Sequence, residues 1–127
     1  MKKILVIEDN ENNMELISFM LKSSGYEVLQ AYRGQDGFDM ARTKKPDLIL
    51  LDIQLPDIDG TVVLDNLRST AETQAIPVVA VTSYAMTGDS KKLLSAGCDG
   101  YIEKPIEPGL FISQVETILA EKASTVI

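Results

Sequence analysis

"LILLDIQLPDIDG", residues 48–60, runs four apolar residues into Asp52 and then sets Asp57 and Asp59 among turn residues. An unbroken apolar run of this length, bounded by turn residues, is the pattern of a strand covered on both faces, and such strands belong to parallel sheets. The same pattern recurs in both directions along the chain. "KILVI" (3–7), "DLILL" (47–51) and "PVVAV" (77–81) are almost wholly aliphatic and read as central strands, with "EVLQA" (27–31) and "GYI" (100–102) completing a set of five.

Longer stretches of helical periodicity separate these runs. Residues 11–24 predict a first helix capped by Asn10 or Asn12, with Met14, Ile17 and Leu21 inward, Glu15 in capping-box spacing from Asn12, and Gly25 closing it. A second is expected at 35–44 with Phe38, Met40 and Ala41 inward, stopped by Pro46. A third, 60–69, starts behind Asp59 and buries Val63, Leu64 and Leu67, and a fourth, 87–96, carries Leu93 and Leu94 and ends at Gly97. The last, 107–121, presents Leu110, Phe111, Val115, Ile118 and Leu119, after which "KASTVI" (122–127) is expected to fray. Strand and helix in strict alternation predict an α/β fold, a doubly wound five-stranded parallel sheet between two helix layers. The expectation is a single domain over 1–127 with its core at about 2–121.

Composition narrows the chemistry. The 127 residues are 45% hydrophobic and 24% charged, with a net charge of −7, one cysteine and no histidine. Cys98 therefore has no internal disulfide partner, and catalysis by histidine is excluded. Twelve scattered basic residues against nineteen acidic ones argue against binding to nucleic acid or to an anionic membrane. The apolar run after Met1-Lys2-Lys3 is too short for a signal peptide, and no run reaches the length of a membrane span, so the cytoplasm is the expected location.

Ligands of doubly wound sheets sit beyond the carboxyl ends of the strands. Here those ends carry Glu8-Asp9, Asp52, Thr82-Ser83 and Glu103-Lys104-Pro105, whereas the second ends at Ala31-Tyr32. Singly, each has a structural reading: Asp9 or Asn10 caps a helix, Asp52 ends a strand in a turn, Thr82 closes a strand, and a lysine before proline lies at the surface. On one rim together they form an acidic pocket. Ionised carboxylates about 4 Å apart repel by about 4 kcal/mol per pair at an effective dielectric of about 20, so the cluster calls for cations. Lys104 supplies one and a hard divalent ion such as Mg²⁺ the rest. Carboxylate nucleophile, metal, ammonium and hydroxyl are the parts of a phosphoryl-handling site, and with no Walker-type glycine loop the donor need not be a nucleotide. Asp57 and Asp59 read instead as turn and helix cap, with Gly60 permitting an unusual backbone.

"VIEDN" (6–10), "LILLDIQLPDIDG" (48–60), "PVVAVTS" (77–83) and "AGCDGYIEKPI" (96–106), in that order, resemble the motifs of response regulator receiver domains, the CheY-like family of two-component systems. The resemblance spans essentially the whole chain and is nearest to single-domain regulators of the DivK type. It implies the flavodoxin-like strand order 2-1-3-4-5. It also implies Asp52 as phosphoacceptor, Mg²⁺ or Mn²⁺ held directly by Asp9, Asp52 and the Gln54 backbone carbonyl and by Glu8 through water, and Thr82 and Lys104 on the phosphoryl oxygens. Glu8 stands where the family often has aspartate. Thr82 and Tyr101 would form the switch, Gln54 and Tyr84 would set phosphate lifetime, and the Lys104–Pro105 bond would be cis. The implied donor is a histidine kinase or histidine phosphotransfer protein, and the implied output is a changed surface on the fourth helix, fifth strand and fifth helix that binds a downstream protein. Such a chain is a stand-alone phosphoacceptor signalling protein rather than an enzyme with turnover.

Three other readings fit less well. A haloacid dehalogenase places its nucleophile after the first strand in a D-x-D pattern, whereas this chain reads Glu8-Asp9-Asn10-Glu11. A flavodoxin-like carrier needs a Ser/Thr/Gly-rich loop there. An unphosphorylated receiver scaffold leaves a complete set of phosphorylation residues without a use.

Overall fold

The computed structural model describes residues 2–82, 97–104 and 106–124. Five strands, β1 (Lys3–Ile7), β2 (Glu27–Ala31), β3 (Leu48–Asp52), β4 (Val78–Thr82) and β5 (Gly100–Glu103), form one parallel sheet in the order β2-β1-β3-β4-β5. The described helices are α1 (Glu11–Ser23), α2 (Gly34–Lys44), α3 (Gly60–Ser69) and α4 (Pro108–Ser124). The helix expected at 87–96 lies outside the described residues.

Side-chain alternation along each strand divides the core into two layers. Ile4, Val6, Leu48, Leu50, Val79 and Val81 pack beneath Met14, Ile17 and Leu21 of α1 and Phe111 and Val115 of α4. The intervening residues, Leu5, Ile7, Ile49, Leu51, Val78 and Ala80, face Ala41 of α2 and Val63, Leu64 and Leu67 of α3. Burial on both faces is why β1, β3 and β4 are aliphatic throughout, and why the sheet resists movement where the strand ends meet.

Local sequence explains the helix ends. Asn10, not Asn12, caps α1: its side chain accepts from the Asn13 backbone N–H at 3.0 Å, while Asn12 lies inside the first turn. Gly25 leaves α1 with φ of +93°, a conformation that favours glycine. Asp59 caps α3 by accepting from the Thr61 N–H at 3.0 Å. Pro108 occupies the first position of α4, where its missing N–H costs nothing.

Several boundaries differ from the sequence reading. β3 and β4 lie one residue later than their apolar runs, because the ladder continues until Asp52 pairs with Val81, which makes Asp52 and Thr82 the last residues of their strands. α4 continues to Ser124 instead of ending at 121, since Glu121-Lys122-Ala123 contains only good helix formers. Leu110 is not part of the inward stripe of α4. It sits about 100° around the helix from Phe111, and with Phe111 and Val115 inward it is left 51% exposed.

Candidate functional site

The sheet brings three strand ends and one following loop onto a single rim. The backbone N–H of Glu8 donates to the Ala31 carbonyl at 3.0 Å, extending the β1–β2 ladder by one residue and turning the Glu8 side chain into the protein, where it is 1% exposed. Asp52 and Thr82, ending the adjacent strands β3 and β4, are each 3% exposed. The Lys104 N–H donates to the Thr82 carbonyl at 2.9 Å, which fixes the chain just past β5 and aims its side chain back across the sheet.

The Lys104 ammonium lies 3.2 Å from Glu8 Oε1 and 3.4 Å from Asp52 Oδ2. Glu8, Asp9 and Asp52 each offer a carboxylate oxygen within 4.8 Å of the others, with Asp9 exposed and the other two buried. Asp52 Oδ1 accepts from the Gln54 N–H at 3.0 Å, and Glu8 Oε2 accepts from the Asn10 N–H at 3.2 Å. Glu8 Oε1 is buried and, among the described residues, accepts no hydrogen bond, with the Lys104 ammonium 3.2 Å away.

Burial pushes the Asp52 carboxyl up from 3.8 to about 7, and its hydrogen bond and charge repulsion with Glu8 add to the rise. The Gln54 N–H and Lys104 oppose it without cancelling it. A buried carboxylate pair with one ammonium is thus under-compensated, and near neutrality Asp52 is partly protonated. The three carboxylates and one lysine sum to −2 when fully ionised, the charge that a hard divalent cation balances. Oxygen-only donors of this kind fit Mg²⁺ or Mn²⁺ and suit soft metals poorly.

Of the residues singled out in the sequence, Glu8, Asp9, Asp52 and Lys104 are gathered at the site, and Gln54 joins them through its backbone. Thr82 ends the strand beside Asp52. Tyr101 is 39% exposed on β5, with its ring beside a groove that Leu110 and Gln114 of α4 also line. Tyr84 and Pro105 lie outside the described residues, and with them the Lys104–Pro105 bond.

Two arrangements have no counterpart in the sequence reading. Asp57 does more than shape its own turn. Its Oδ1 accepts from the Gly34 N–H at 2.8 Å and its Oδ2 from the Gln35 N–H at 3.0 Å, so that it caps α2 from another part of the chain. One clue was present: α2 begins behind Arg33, which provides no side-chain cap of its own. Arg68, at the end of α3, donates to the carbonyls of Gly97, Gln74 and Ile76 and pairs with Asp99 Oδ2 at 2.9 Å. That same oxygen accepts from the Val78 N–H at 2.8 Å, tying the start of β4 to the approach to β5. Gly60 also has a different reason from the expected one. A Cβ there would fall 2.5 Å from Ile53 Cα and 2.7 Å from the Asp52 carbonyl oxygen, so close approach demands glycine.

Comparison with known proteins gives the same picture. Residues 4–116 match the family model described as the response regulator receiver domain. The polar-differentiation response regulator DivK of Brucella anthropi is 42% identical over 120 residues, covering 94% of this chain and 98% of that protein, and DivK of Brucella ovis is equally similar. The crystal structure of a CheY-like response regulator receiver domain protein from Methanospirillum hungatei superposes with a TM-score of 0.90 at 30% identity, covering 98% of both chains. The receiver domain of a sensor histidine kinase from Pseudomonas aeruginosa, with a magnesium ion coordinated in its active-site cleft, superposes with a TM-score of 0.86 at 30% identity and covers 94% of this chain and 98% of its own. With the sheet order, the acidic rim and these likenesses in agreement, the chain belongs to the response regulator receiver domain family of two-component systems.

Proposed function

We propose that Asp52 accepts a phosphoryl group from a phosphohistidine on a histidine kinase or histidine phosphotransfer protein, with Mg²⁺ or Mn²⁺ held by Glu8, Asp9, Asp52 and the Gln54 carbonyl. The observation that carries this reading is the buried Asp52 carboxylate, set at a strand end among two further carboxylates and one lysine. The magnesium in the cleft of the Pseudomonas receiver supports the choice of metal. When bound, the metal would neutralise phosphoryl oxygens and keep Asp52 ionised.

The residues of the chain divide the remaining work. The Gln54 N–H holds one oxygen of Asp52 and so orients the carboxylate for in-line attack. Lys104, 3.4 Å from the other oxygen, places an ammonium where the incoming phosphoryl group spreads its charge. Thr82 gives its hydroxyl to a phosphoryl oxygen. With no histidine in the chain, the donor imidazole comes from another protein.

Charge added at the pocket draws Thr82 inward, Tyr101 turns from its exposed position, and the surface around β5 and α4 changes its fit to a downstream protein. Gln54 and Tyr84 set the lifetime of the acyl phosphate, as the family resemblance implies. Residues 1–127 act as one receiver unit, in the cytoplasm, without nucleic acid or membrane. The net charge of −7 supports the reading without nucleic acid.

Acetyl phosphate with Mg²⁺ tests the reading by intact mass. The wild-type chain gains one phosphoryl group, whereas the chain in EDTA and the Asp52→Asn variant gain none. Multiple turnover of a small phosphate ester without a labelled protein would point to hydrolysis instead.

A further inference from the structure

The loop that follows Asp52 is fastened at its base by a backbone hydrogen bond and at its tip by the Asp57 carboxylate. At its base the Gly60 N–H donates to the Ile53 carbonyl at 2.9 Å, and the missing Cβ of Gly60 lets the two ends of the loop close. At its tip, Asp57 gives both carboxylate oxygens to the first two N–H groups of α2, at 2.8 and 3.0 Å. Ile58, next along, presses into the notch left by Gly34, where a Cβ would fall 2.6 Å from its Cγ1. The N-terminus of α2 carries unpaired N–H groups and the positive end of the helix dipole, and Arg33 leaves it uncapped, so the Asp57 carboxylate is the complementary group. The N–H of Gln35 foremost, with that of Gly34 also contributing, holds this carboxyl below the ordinary carboxylate range, as expected for a real anion–donor contact.

Between base and tip lies Gln54, whose N–H fixes Asp52 Oδ1. We infer that Asp57 is a positioning residue for the Asp52 site: by clamping the 53–59 loop to the start of α2, it sets the backbone of Gln54, and through it the orientation of Asp52 and the carbonyl offered to the metal. The metal part of this inference rests on the function proposed above; the Gln54 part does not.

The test uses the whole chain and three proteins: wild type, Asp57→Ala, which removes the clamp, and Asp57→Asn, which keeps an acceptor for the Gly34 N–H. In EDTA, amide exchange followed by NMR is expected to speed up at Gln54 as well as at Gly34 and Gln35 in Asp57→Ala, by about tenfold or more, with Asp57→Asn nearer to wild type. Titration with Mg²⁺, followed by the Gln54 amide shift and by calorimetry, is expected to show affinity weakened about tenfold in Asp57→Ala, the low end for a residue that orients a metal ligand, and largely restored in Asp57→Asn. If Gly34 and Gln35 exchange faster while Gln54 exchange and Mg²⁺ affinity stay at wild-type values, Asp57 is a helix cap alone and the inference is overturned. Should wild type itself bind no Mg²⁺, the metal reading fails, and the exchange at Gln54 in EDTA still decides the clamp.

Discussion

The raised carboxyl of Asp52 makes an unusual demand: replacing the central residue of the site should stabilise the fold. In the metal-free protein Asp52 titrates near 7 rather than 3.8, because it is buried beside Glu8. The sign follows from linkage. A carboxyl whose folded value lies above its unfolded one favours the folded state while protonated; that stability is complete below about 3.8 and is lost as pH rises through about 7. At about 1.4 kcal/mol for each tenfold change, the full loss by pH 8 is about 4 kcal/mol. Asparagine keeps the shape and can still accept from the Gln54 N–H, but never ionises. Asp52→Asn in EDTA should therefore gain roughly 2–4 kcal/mol over wild type at pH 8, about 8–15 °C in Tm for a chain of this size, and almost nothing near pH 4. Mg²⁺ should raise the Tm of wild type and leave the variant unmoved. Thermal melts by circular dichroism at several pH values make the comparison. A variant no more stable than wild type at pH 8, or one whose advantage does not change with pH, would refute the electrostatic account of the pocket.

Other perturbations have equally definite outcomes. Mg²⁺ must displace the proton on Asp52, so its affinity should rise by up to about tenfold from pH 6 to pH 8 and level off above, as calorimetry at each pH would show; a pH-independent affinity contradicts a raised Asp52 carboxyl. Arg68→Met keeps the aliphatic stem against Gly97 but removes four polar contacts, and urea unfolding should report a loss of about 3–4 kcal/mol; a loss below about 1 kcal/mol means that the network is idle. Gly60→Ala places a methyl group against the backbone of Ile53 and Asp52 and should cost about 2–3 kcal/mol while slowing labelling by acetyl phosphate; unchanged stability would show that the loop opens freely.

How much of this was written in the sequence depends on the reach of each signal. The sheet, its helices and the caps by Asn10 and Asp59 follow from periodicities and preferences acting within a few residues, and their strand order came with the motifs. The gathering of Glu8, Asp9, Asp52 and Lys104 was legible because a parallel sheet sends all its carboxyl ends to one rim. What escaped spans long stretches of chain. Asp57 reaches back to α2 across 23 positions, and Arg68 meets Asp99 across 31, so neither leaves a local pattern. Leu110 misled for the opposite reason: its spacing suits an inward stripe, but adjacent Phe111 fills the core and Leu110 is left 51% exposed beside it. The one-residue extension of β3 and β4 is decided by the ladder between them, not by the hydropathy of either run.

On the function proposed above, Asp52, rather than any neighbouring carboxylate, takes the phosphoryl group. Labelling with acetyl phosphate and Mg²⁺, trapping the acyl phosphate by borohydride reduction and mapping the peptides by mass spectrometry tests this directly. Homoserine is expected at position 52, with Glu8, Asp9, Asp57 and Asp59 intact; reduction at any of those four, or none at Asp52 in a chain that has gained a phosphoryl group, would overturn the assignment.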